Sequence, residues 1–523
     1  MQIKDDIDKI KNDIIKMKNN ITKRKNVIKY GILYGGLIWL YLLLESLGWI
    51  NKPKIIHLCM MISISIILVI GFIRWIKVEY LGKENKGVDN DNKETIVGLI
   101  ILAIGLIMRI GYTMYTAWNV RGHDVGGASV EYVGHASYIM HLFYGRLPDN
   151  NAYQFYHPPF YHFMSSITMH IVSFFNEIVR GEELIDAAKI VSCFASCGVL
   201  LQIKEFLKEL DIKGRISNII LLIVAFCPNF YLMAGRVNND SLVFFFMVVA
   251  IRYTYKWYYN QDWKSIIILA LAYGFGMMTK ISMGVLAIFT ALFMIIVLVK
   301  NIKRHLYKKT IVQLLIFGLI SLPLGLWFPI RNLILFKQPL NYVLEIEKNT
   351  PIYVGNISLL KRFLIHIKDI KELRLYNIPI SDYNIPIYIW RGSLFGEFTL
   401  TADKLFEWIL LIVNGVIIIV SIIAMIKVLI SMKEKKELTY GLFFIWICQI
   451  VSYISFNLRY PFACTMDFRN IVTTVIVGAV IIGLFCSQIK DRKNILCSVV
   501  WDSIEVMLLV YAISSIRIYL LVD

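Results

Sequence analysis

The sequence predicts an all-α polytopic membrane protein with about 13 transmembrane helices and a long first outer loop that contains surface helices. Of its 523 residues, 57% are hydrophobic and 18% are charged, whereas soluble domains average about 45–50% and about 25%. Apolar runs of about 20 residues, the length that crosses a bilayer, recur along the chain. This composition excludes a soluble enzyme, a disordered chain and a disulfide-stapled secreted domain.

The formal net charge of +18 is interpreted as the excess of Lys and Arg that membrane proteins keep in short loops on one side. No basic stretch is interleaved with the stacking aromatics of a nucleic-acid site. The lipid bilayer is therefore the expected partner of this charge, and nucleic acid is not.

Residues 1–29 are predicted to form a cytoplasmic amphipathic helix. They carry nine Lys and Arg, which places the N-terminus on the inner side. A short coiled coil is the alternative, because the apolar residues form a heptad pattern. The members of that pattern are Ile3, Ile7, Ile10, Ile14, Met17 and Ile21.

The apolar runs divide the rest of the chain into four regions. These are 30–94 with two extra spans and a cytoplasmic loop, 95–330 as the transmembrane core with outer loop 118–187, a second large outer loop at 331–403, and C-terminal spans in 404–523. The predicted spans lie near 30–48, 55–76, 95–117, 188–207, 216–235, 241–258, 263–279, 281–299, 310–330, 404–428, 440–457, 469–487 and 499–521.

The apolar stretch 157–178 is predicted not to cross the membrane. If it crossed, every later basic cluster, such as 300–309, would face outward against the positive-inside rule. Residues 118–187 therefore form one outer loop whose apolar part lies along the membrane surface.

This loop concentrates titratable groups, as an active site would. Six of the nine histidines lie between His123 and His170, together with Asp124 and Glu131. Asp124 is suited to act as a general base, although an aspartate paired with Arg121 is an equally simple explanation. His157, just before two prolines, is equally suited to begin a surface helix. No paired histidine spacing indicates zinc, so no cofactor is predicted, with a metal ion as the lesser alternative.

Cations stand on the side of the membrane where few are expected. Such residues need an anionic partner, and a lipid phosphate near the outer headgroups fits this requirement. Acidic neighbours such as Asp240, Glu397 and Asp467 offer internal pairing as the alternative. The cations are Arg236, Lys280, Arg331, Arg459 and Arg469.

From about residue 95 onward the chain resembles the integral membrane glycosyltransferases of the C superfamily. It is most similar to the dolichyl-phosphate-mannose protein mannosyltransferases and the lipid A aminoarabinose transferases. The residues that carry the resemblance are Asp124, His157-Pro-Pro-Phe-Tyr, Asn239-Asp240, Thr279-Lys280, Arg331-Asn332 and Asp467-Phe-Arg469.

The resemblance implies an inverting transfer of a sugar from a polyprenyl-phosphate donor to an acceptor hydroxyl on the outer face. Asp124 would be the general base. Members of these families often carry two adjacent acidic residues at this position, but here Val125 follows Asp124. Glu131 is therefore the alternative acidic residue for the role of general base. Lys280, Arg331 and Arg469 would hold the phosphate, and the remaining expected substrate-binding residues are His123, His157, Asp240 and Glu397.

A transporter or flippase for a polyprenyl-linked sugar is the alternative function. It would need ionisable residues near the bilayer midplane and repeated halves, and the sequence favours the enzyme because such features are few. The acceptor, whether glycan, lipid or protein, is not indicated. A composition rich in Ile, Lys and Asn suggests a bacterial cytoplasmic membrane.

Overall fold

A computed structural model describes residues 52–82, 89–120, 122–148, 152–175, 182–365, 383–397, 403–431, 435–490 and 495–521. Within these residues the regular secondary structure is helical, apart from an isolated antiparallel bridge between Tyr353 and Phe462. The predicted all-α class is therefore confirmed. The predicted helix 1–29 and the predicted span 30–48 lie outside the described residues.

The α-helices are numbered here in chain order. They are α1 (Lys52–Gly82), α2 (Asp89–Tyr115), α3 (His135–Phe143), α4 (Phe160–Phe175), α5 (Glu182–Ile185), α6 (Lys189–Glu209), α7 (Gly214–Phe226), α8 (Pro228–Ala234), α9 (Asp240–Asn260), α10 (Trp263–Thr279), α11 (Gly284–Lys303), α12 (Tyr307–Phe336), α13 (Leu359–Phe363), α14 (Ile385–Phe395), α15 (Lys404–Ser431), α16 (Lys436–Arg459), α17 (Thr473–Lys490) and α18 (Ile495–Leu521). Short 3₁₀ helices at Ala463–Met466 and Phe468–Ile471 precede α17.

The protein is a multi-pass membrane protein. Eight helices of the described residues are long and apolar enough to cross a membrane, and there are up to ten candidate spans if each of two bent pairs counts as one. The eight are Lys54–Val78, Lys93–Tyr115, Glu183–Glu209, Ile281–Lys303, Tyr307–Phe336, Lys404–Ser431, Lys436–Arg459 and Val499–Leu520. The bent pairs are Gly214–Phe226 with Pro228–Ala234, and Ala463–Ile471 with Thr473–Ile489.

The expected count of 13 spans is not supported. The predicted span 241–258 is helix α9, but Arg252 and Lys256 reduce its hydropathy and pair with Glu209 of α6 at 2.8 and 2.6 Å. The predicted span 263–279 is α10, which has 17 residues and reaches only about 26 Å at 1.5 Å per residue.

The predicted outer loop 118–187 contains helices α3 and α4. Helix α4 has 16 residues and is not among the candidate spans. Tyr161, His162 and Met169 on this helix are buried, so it packs into the protein. The domain boundaries and the sidedness of the loops stay predictions.

Pro228 interrupts the helical hydrogen bonds between α7 and α8, and the side chain of a buried arginine supplies donors to the carbonyls there. Proline has no N–H, so the carbonyl of Val224 loses its usual helical donor. Arg109 of α2 donates from Nη2 to Val224 O and from Nη1 to Ala225 O, both at 2.9 Å. The bend between α7 and α8 is 49°, and it directs the chain after α8 toward the ends of α2 and α10.

Replacing Arg109 by Lys is expected to lower the free energy of unfolding by about 1–3 kcal/mol, because one ammonium group cannot replace the planar fork and a buried carbonyl loses its donor. Thermal unfolding in detergent micelles measures this loss. Arg304→Lys, at an exposed arginine after α11, is the matched control. Equal stability of the two variants would contradict the assigned role of Arg109.

Candidate active site

Charged side chains from five separate segments meet at one place. They lie after α2 (Asp124), between α8 and α9 (Arg236 and Asp240), after α10 (Lys280), after α14 (Glu397), and beside the 3₁₀ helix before α17 (Asp467 and Arg469). Because each segment follows or precedes a helix, the helix ends fix the positions of these side chains.

Asp124 lies at the centre of the cluster. Its Oδ2 accepts hydrogen bonds from Asn238 Nδ2 at 2.6 Å and from Arg469 Nη1 at 2.7 Å, and its side chain is buried. Burial alone raises the pKa of this carboxyl, but the charges of Arg469 and Arg236 and the Arg469 hydrogen bond outweigh burial and hold the pKa well below its usual range. Asp124 is therefore ionised at neutral pH.

Two glycines place His135 beside Asp124. Gly126 has φ +68° and Gly134 has φ +112°, and a Cβ on Gly126 would lie 1.7 Å from the Val133 carbonyl oxygen. This close approach brings the two ends of the segment together, and His135 N donates to Asp124 O at 3.1 Å. Side chains larger than glycine do not fit there.

Hydrogen bonding fixes the orientation of the Asn238 amide. Asn238 Oδ1 accepts from the backbone N–H of Asp240 at 2.7 Å, at the start of α9. Nδ2 is therefore the group that faces Asp124, and it also lies 3.4 Å from His135 Nε2. A donor at this position requires a lone pair on Nε2, so the proton of His135 lies on Nδ1 and is donated to His162 Nε2 at 2.8 Å.

Three of the six histidines in segment 118–187 form a stack behind Asp124. The His135 ring lies 5.1 Å from that of His162 and 5.8 Å from that of His157, and His162 stacks on Tyr138 at 4.0 Å. Burial lowers the pKa of His135 to about 4 and holds the pKa values of His157 and His162 well below their usual range. The stack is therefore uncharged at neutral pH.

Three cations surround Asp240 and Asp467. Lys280 Nζ contacts Asp240 Oδ1, and Arg469 Nε lies 3.4 Å from Asp240 Oδ2 and 3.2 Å from Asp467 Oδ2. Arg236 Nη1 lies 3.7 Å from Asp467 Oδ2. Three of the five cations that were unexpected in the sequence thus gather around one point, each next to a carboxylate, whereas Arg331 and the exposed Arg459 are not in these ion pairs.

The other residues predicted for the site lie farther from this centre. His123 is exposed, but the charges of Arg236 and Asp124 reach it. Arg331 donates to Asn332 Oδ1 at 2.9 Å and to the Pro148 carbonyl at 3.4 Å, and so joins α12 to the first outer loop. Glu131 is exposed, and its N–H donates to Ser129 Oγ at 3.3 Å. The roles of all predicted site residues stay predictions.

Sequence reasoning missed Asn238. The sequence signal was an Asn two residues before the acid that begins α9, which ordinarily indicates a helix cap. The side chain does cap the helix, but its second function, donation to Asp124, depends on a contact 114 residues away in sequence. Within the described part of the chain, no group of three His, Cys, Asp or Glu could hold a metal ion.

An apolar cavity of about 500 Å³ is lined by residues of helices α15, α16 and α17. Phe468, which lies between Asp467 and Arg469 in sequence, lines it, and so does Ile430 near the C-terminal end of α15. From Asn414 to Ile430 along α15 the lining covers about 24 Å. Its other lining residues are mainly Ile, Leu, Val and Phe, with Ser393, Ser421 and Thr474 among the few polar ones.

Replacing Asn238 by Asp keeps an oxygen that caps α9 but removes the donor to Asp124 and adds a like charge. We expect any reaction that uses Asp124 to slow at least about tenfold, since a hydrogen bond to a charged group contributes about 1.5–3 kcal/mol. The reaction rate and the melting temperature are measured together. Asn260→Asp, at the exposed end of the same helix, is the control, and full activity of Asn238→Asp would contradict the proposed positioning of Asp124.

Part of the chain is similar to a known protein family. Residues 156–327 match the family model of dolichyl-phosphate-mannose-protein mannosyltransferase. Among solved structures, the chain is similar to the archaeal oligosaccharyltransferase AglB from Archaeoglobus fulgidus, in complex with an inhibitory peptide and a dolichol-phosphate, with 13% identity and a TM-score of 0.43. That match covers 81% of this chain and 55% of AglB, so this chain corresponds to about half the length of AglB. No curated protein matches the chain. The matched region contains His157, Asp240 and Lys280, and over residues 156–327 the chain is similar to the dolichyl-phosphate-mannose-protein mannosyltransferases, a family of membrane glycosyltransferases.

Proposed function

We propose that this enzyme transfers a sugar from a polyprenyl-phosphate donor to an acceptor hydroxyl on the outer face of a cytoplasmic membrane, with inversion. The observation that carries the proposal is the buried, ionised Asp124 within a group of three cations, Arg236, Lys280 and Arg469. A base and an anion-binding group at one place are what this transfer requires.

The cations are suited to bind the donor phosphate. Arg469 offers a planar fork and Lys280 a point charge, and both bind phosphate oxygens well. Each now contacts a carboxylate, so a bound phosphate would exchange with or share these partners. Arg331, which reaches Pro148 from α12, His157 and the exposed His123 are proposed to contact the sugar or the acceptor.

Asp124 is proposed to accept the proton of the acceptor hydroxyl. Its contacts with Asn238, Arg469 and His135 all involve Oδ2, which leaves Oδ1 for the acceptor. The acceptor oxygen forms a bond to the anomeric carbon as the bond from that carbon to the phosphate oxygen breaks. The proton goes to Asp124, and the polyprenyl phosphate leaves with the bonding electrons.

Donor binding would also strengthen the base. The positive charge of Arg469 is one of the interactions that hold the pKa of Asp124 low. An anionic phosphate on Arg469 would offset that charge and so raise the pKa of Asp124. The carboxylate would thus become a better proton acceptor only when the donor is present.

The apolar cavity is proposed to hold the polyprenyl chain. Phe468, next to Arg469 in sequence, lines the cavity, and so do residues of helices that are candidate spans. We propose that a phosphate on Arg469 leads its first isoprene units past Phe468 into the cavity.

The test is a transfer assay with the purified protein, radiolabelled polyprenyl-phosphate sugars and crude membrane acceptors. We expect label in an acceptor together with release of polyprenyl phosphate. The same donors in sealed proteoliposomes test the alternative. Donor that crosses the bilayer without release of polyprenyl phosphate would indicate a flippase and contradict the proposed reaction.

A further inference from the structure

Glu397 is the fourth buried acid of the cluster. It follows α14 through Gly396, whose φ of +62° and ψ of −142° are rarely adopted by other residues. This turn directs Glu397 into the protein, where it is 5% exposed. The groups that face it are Asp467 and Arg469, Arg236, Asp124 and Cys464, from four different segments.

Three aspartates already balance the positive charges of the three nearby cations. Arg236, Lys280 and Arg469 contact Asp467, Asp240 and Asp124. Among the described residues, none forms a hydrogen bond with Glu397 Oε1, although this atom is buried. A fourth negative charge without a donor would be costly in such a place.

Glu397 therefore holds a proton at neutral pH. Burial and the charge of Asp467 raise its pKa to about 8, against the opposing charges of Arg469 and Arg236. A protonated carboxyl, unlike an ionised one, can donate a hydrogen bond to an anion.

We propose that Glu397, in its protonated form, donates a hydrogen bond to the phosphate of the lipid donor, so that the enzyme binds its anionic substrate together with a proton. The inference rests on the proposed function, because it assumes that the phosphate binds at Arg469, which faces Glu397. In the ionised form Glu397 would repel the phosphate instead.

The pH dependence of donor binding follows from this assignment. The binding-competent protonated form is present below the pKa of Glu397 and is lost as the pH rises through it. Affinity should be constant from pH 6.5 to 7.5 and fall by up to about tenfold per pH unit above about pH 8. Calorimetry near pH 8 in buffers of different ionisation enthalpy should show uptake of about half a proton.

The probe is a polyprenyl methyl phosphodiester, whose single charge does not titrate in this range, bound to the full-length protein in neutral detergent micelles. Glu397→Gln has an amide donor that cannot ionise, so it should bind the probe as the wild type does at pH 7 and retain that affinity at pH 9. Glu347→Gln, the same change at an exposed glutamate of the second outer loop, should keep the wild-type pH profile.

Three outcomes would overturn the inference. They are a wild-type affinity that does not change with pH, a fall that persists unchanged in Glu397→Gln, and proton uptake of the same size in the two proteins. Absence of probe binding at every pH would contradict the phosphate site itself, and so the proposed function.

Discussion

Replacing Asp124 by Asn is expected to slow sugar transfer at least about a hundredfold, the usual loss when a general base is removed. The amide has nearly the shape of the carboxylate, and its oxygen can still accept from Asn238 and Arg469. It cannot take the proton of the acceptor hydroxyl. We therefore expect the loss in the single-turnover rate, with the dissociation constant of the donor changed far less.

Two variants serve as comparisons for Asp124→Asn. Asp211→Asn removes an exposed carboxylate at a residue with φ +54°, a conformation that Asn tolerates, and should transfer sugar normally. Glu131→Gln tests the alternative base suggested by the sequence. Transfer that is intact in Asp124→Asn and lost in Glu131→Gln would assign the base to Glu131.

The sequence predicted most helices, because the position and length of an apolar run indicate the position and length of a helix that spans the membrane. Helix α9 lies where the run 241–258 predicted it, but it is not a candidate span, because Arg252 and Lys256 lower its hydropathy. Both cations pair with Glu209 of α6. Hydropathy averages a helix over its whole circumference, so it cannot distinguish a charge that is satisfied by a neighbouring helix from one that faces lipid. The count of 13 is not supported because neither α9 nor the short α10 is a candidate span, and the predicted span 30–48 lies outside the described residues.

The sequence indicated several residues of the site, but it did not indicate which of them contact one another. Asp124 and Arg469 are 345 residues apart, and the sequence only indicated that both lie near the outer ends of spans. A cation on the side of the membrane where few are expected indicates an anionic partner, but the sequence does not indicate which anion this is. The structure pairs Arg469 with three aspartates, a geometry that residue types alone do not specify.

The contacts of the histidines could not be predicted from the sequence either. Their number in one loop suggested a site, and their spacing argued against zinc. The structure makes His135 and His162 a neutral, hydrogen-bonded stack behind Asp124. This arrangement depends on Asn238, which belongs to another segment and whose amide is oriented by the backbone of Asp240.

Replacing Arg469 by Gln is expected to weaken donor binding at least about tenfold and to change the pH dependence of catalysis. The first effect follows from the loss of a charge-assisted contact with the phosphate, which contributes about 1.5–3 kcal/mol. Binding of the polyprenyl phosphodiester probe measures it. Because the variant leaves buried aspartates without a partner, its melting temperature is measured in parallel.

The second effect of Arg469→Gln distinguishes electrostatic from structural roles. Asp124 must be ionised to accept a proton, so activity is present above its pKa and is lost as the pH falls through it. In the wild type Arg469 and its neighbours hold that pKa well below the usual range, and kcat/KM should show no acid limb from Asp124 above about pH 5. Without the arginine charge, burial dominates and the pKa rises, so an acid limb should enter the accessible range. Arg469→Lys retains a charge and should shift the limb less, whereas a profile of Arg469→Gln identical to the wild type would show that Arg469 does not control Asp124.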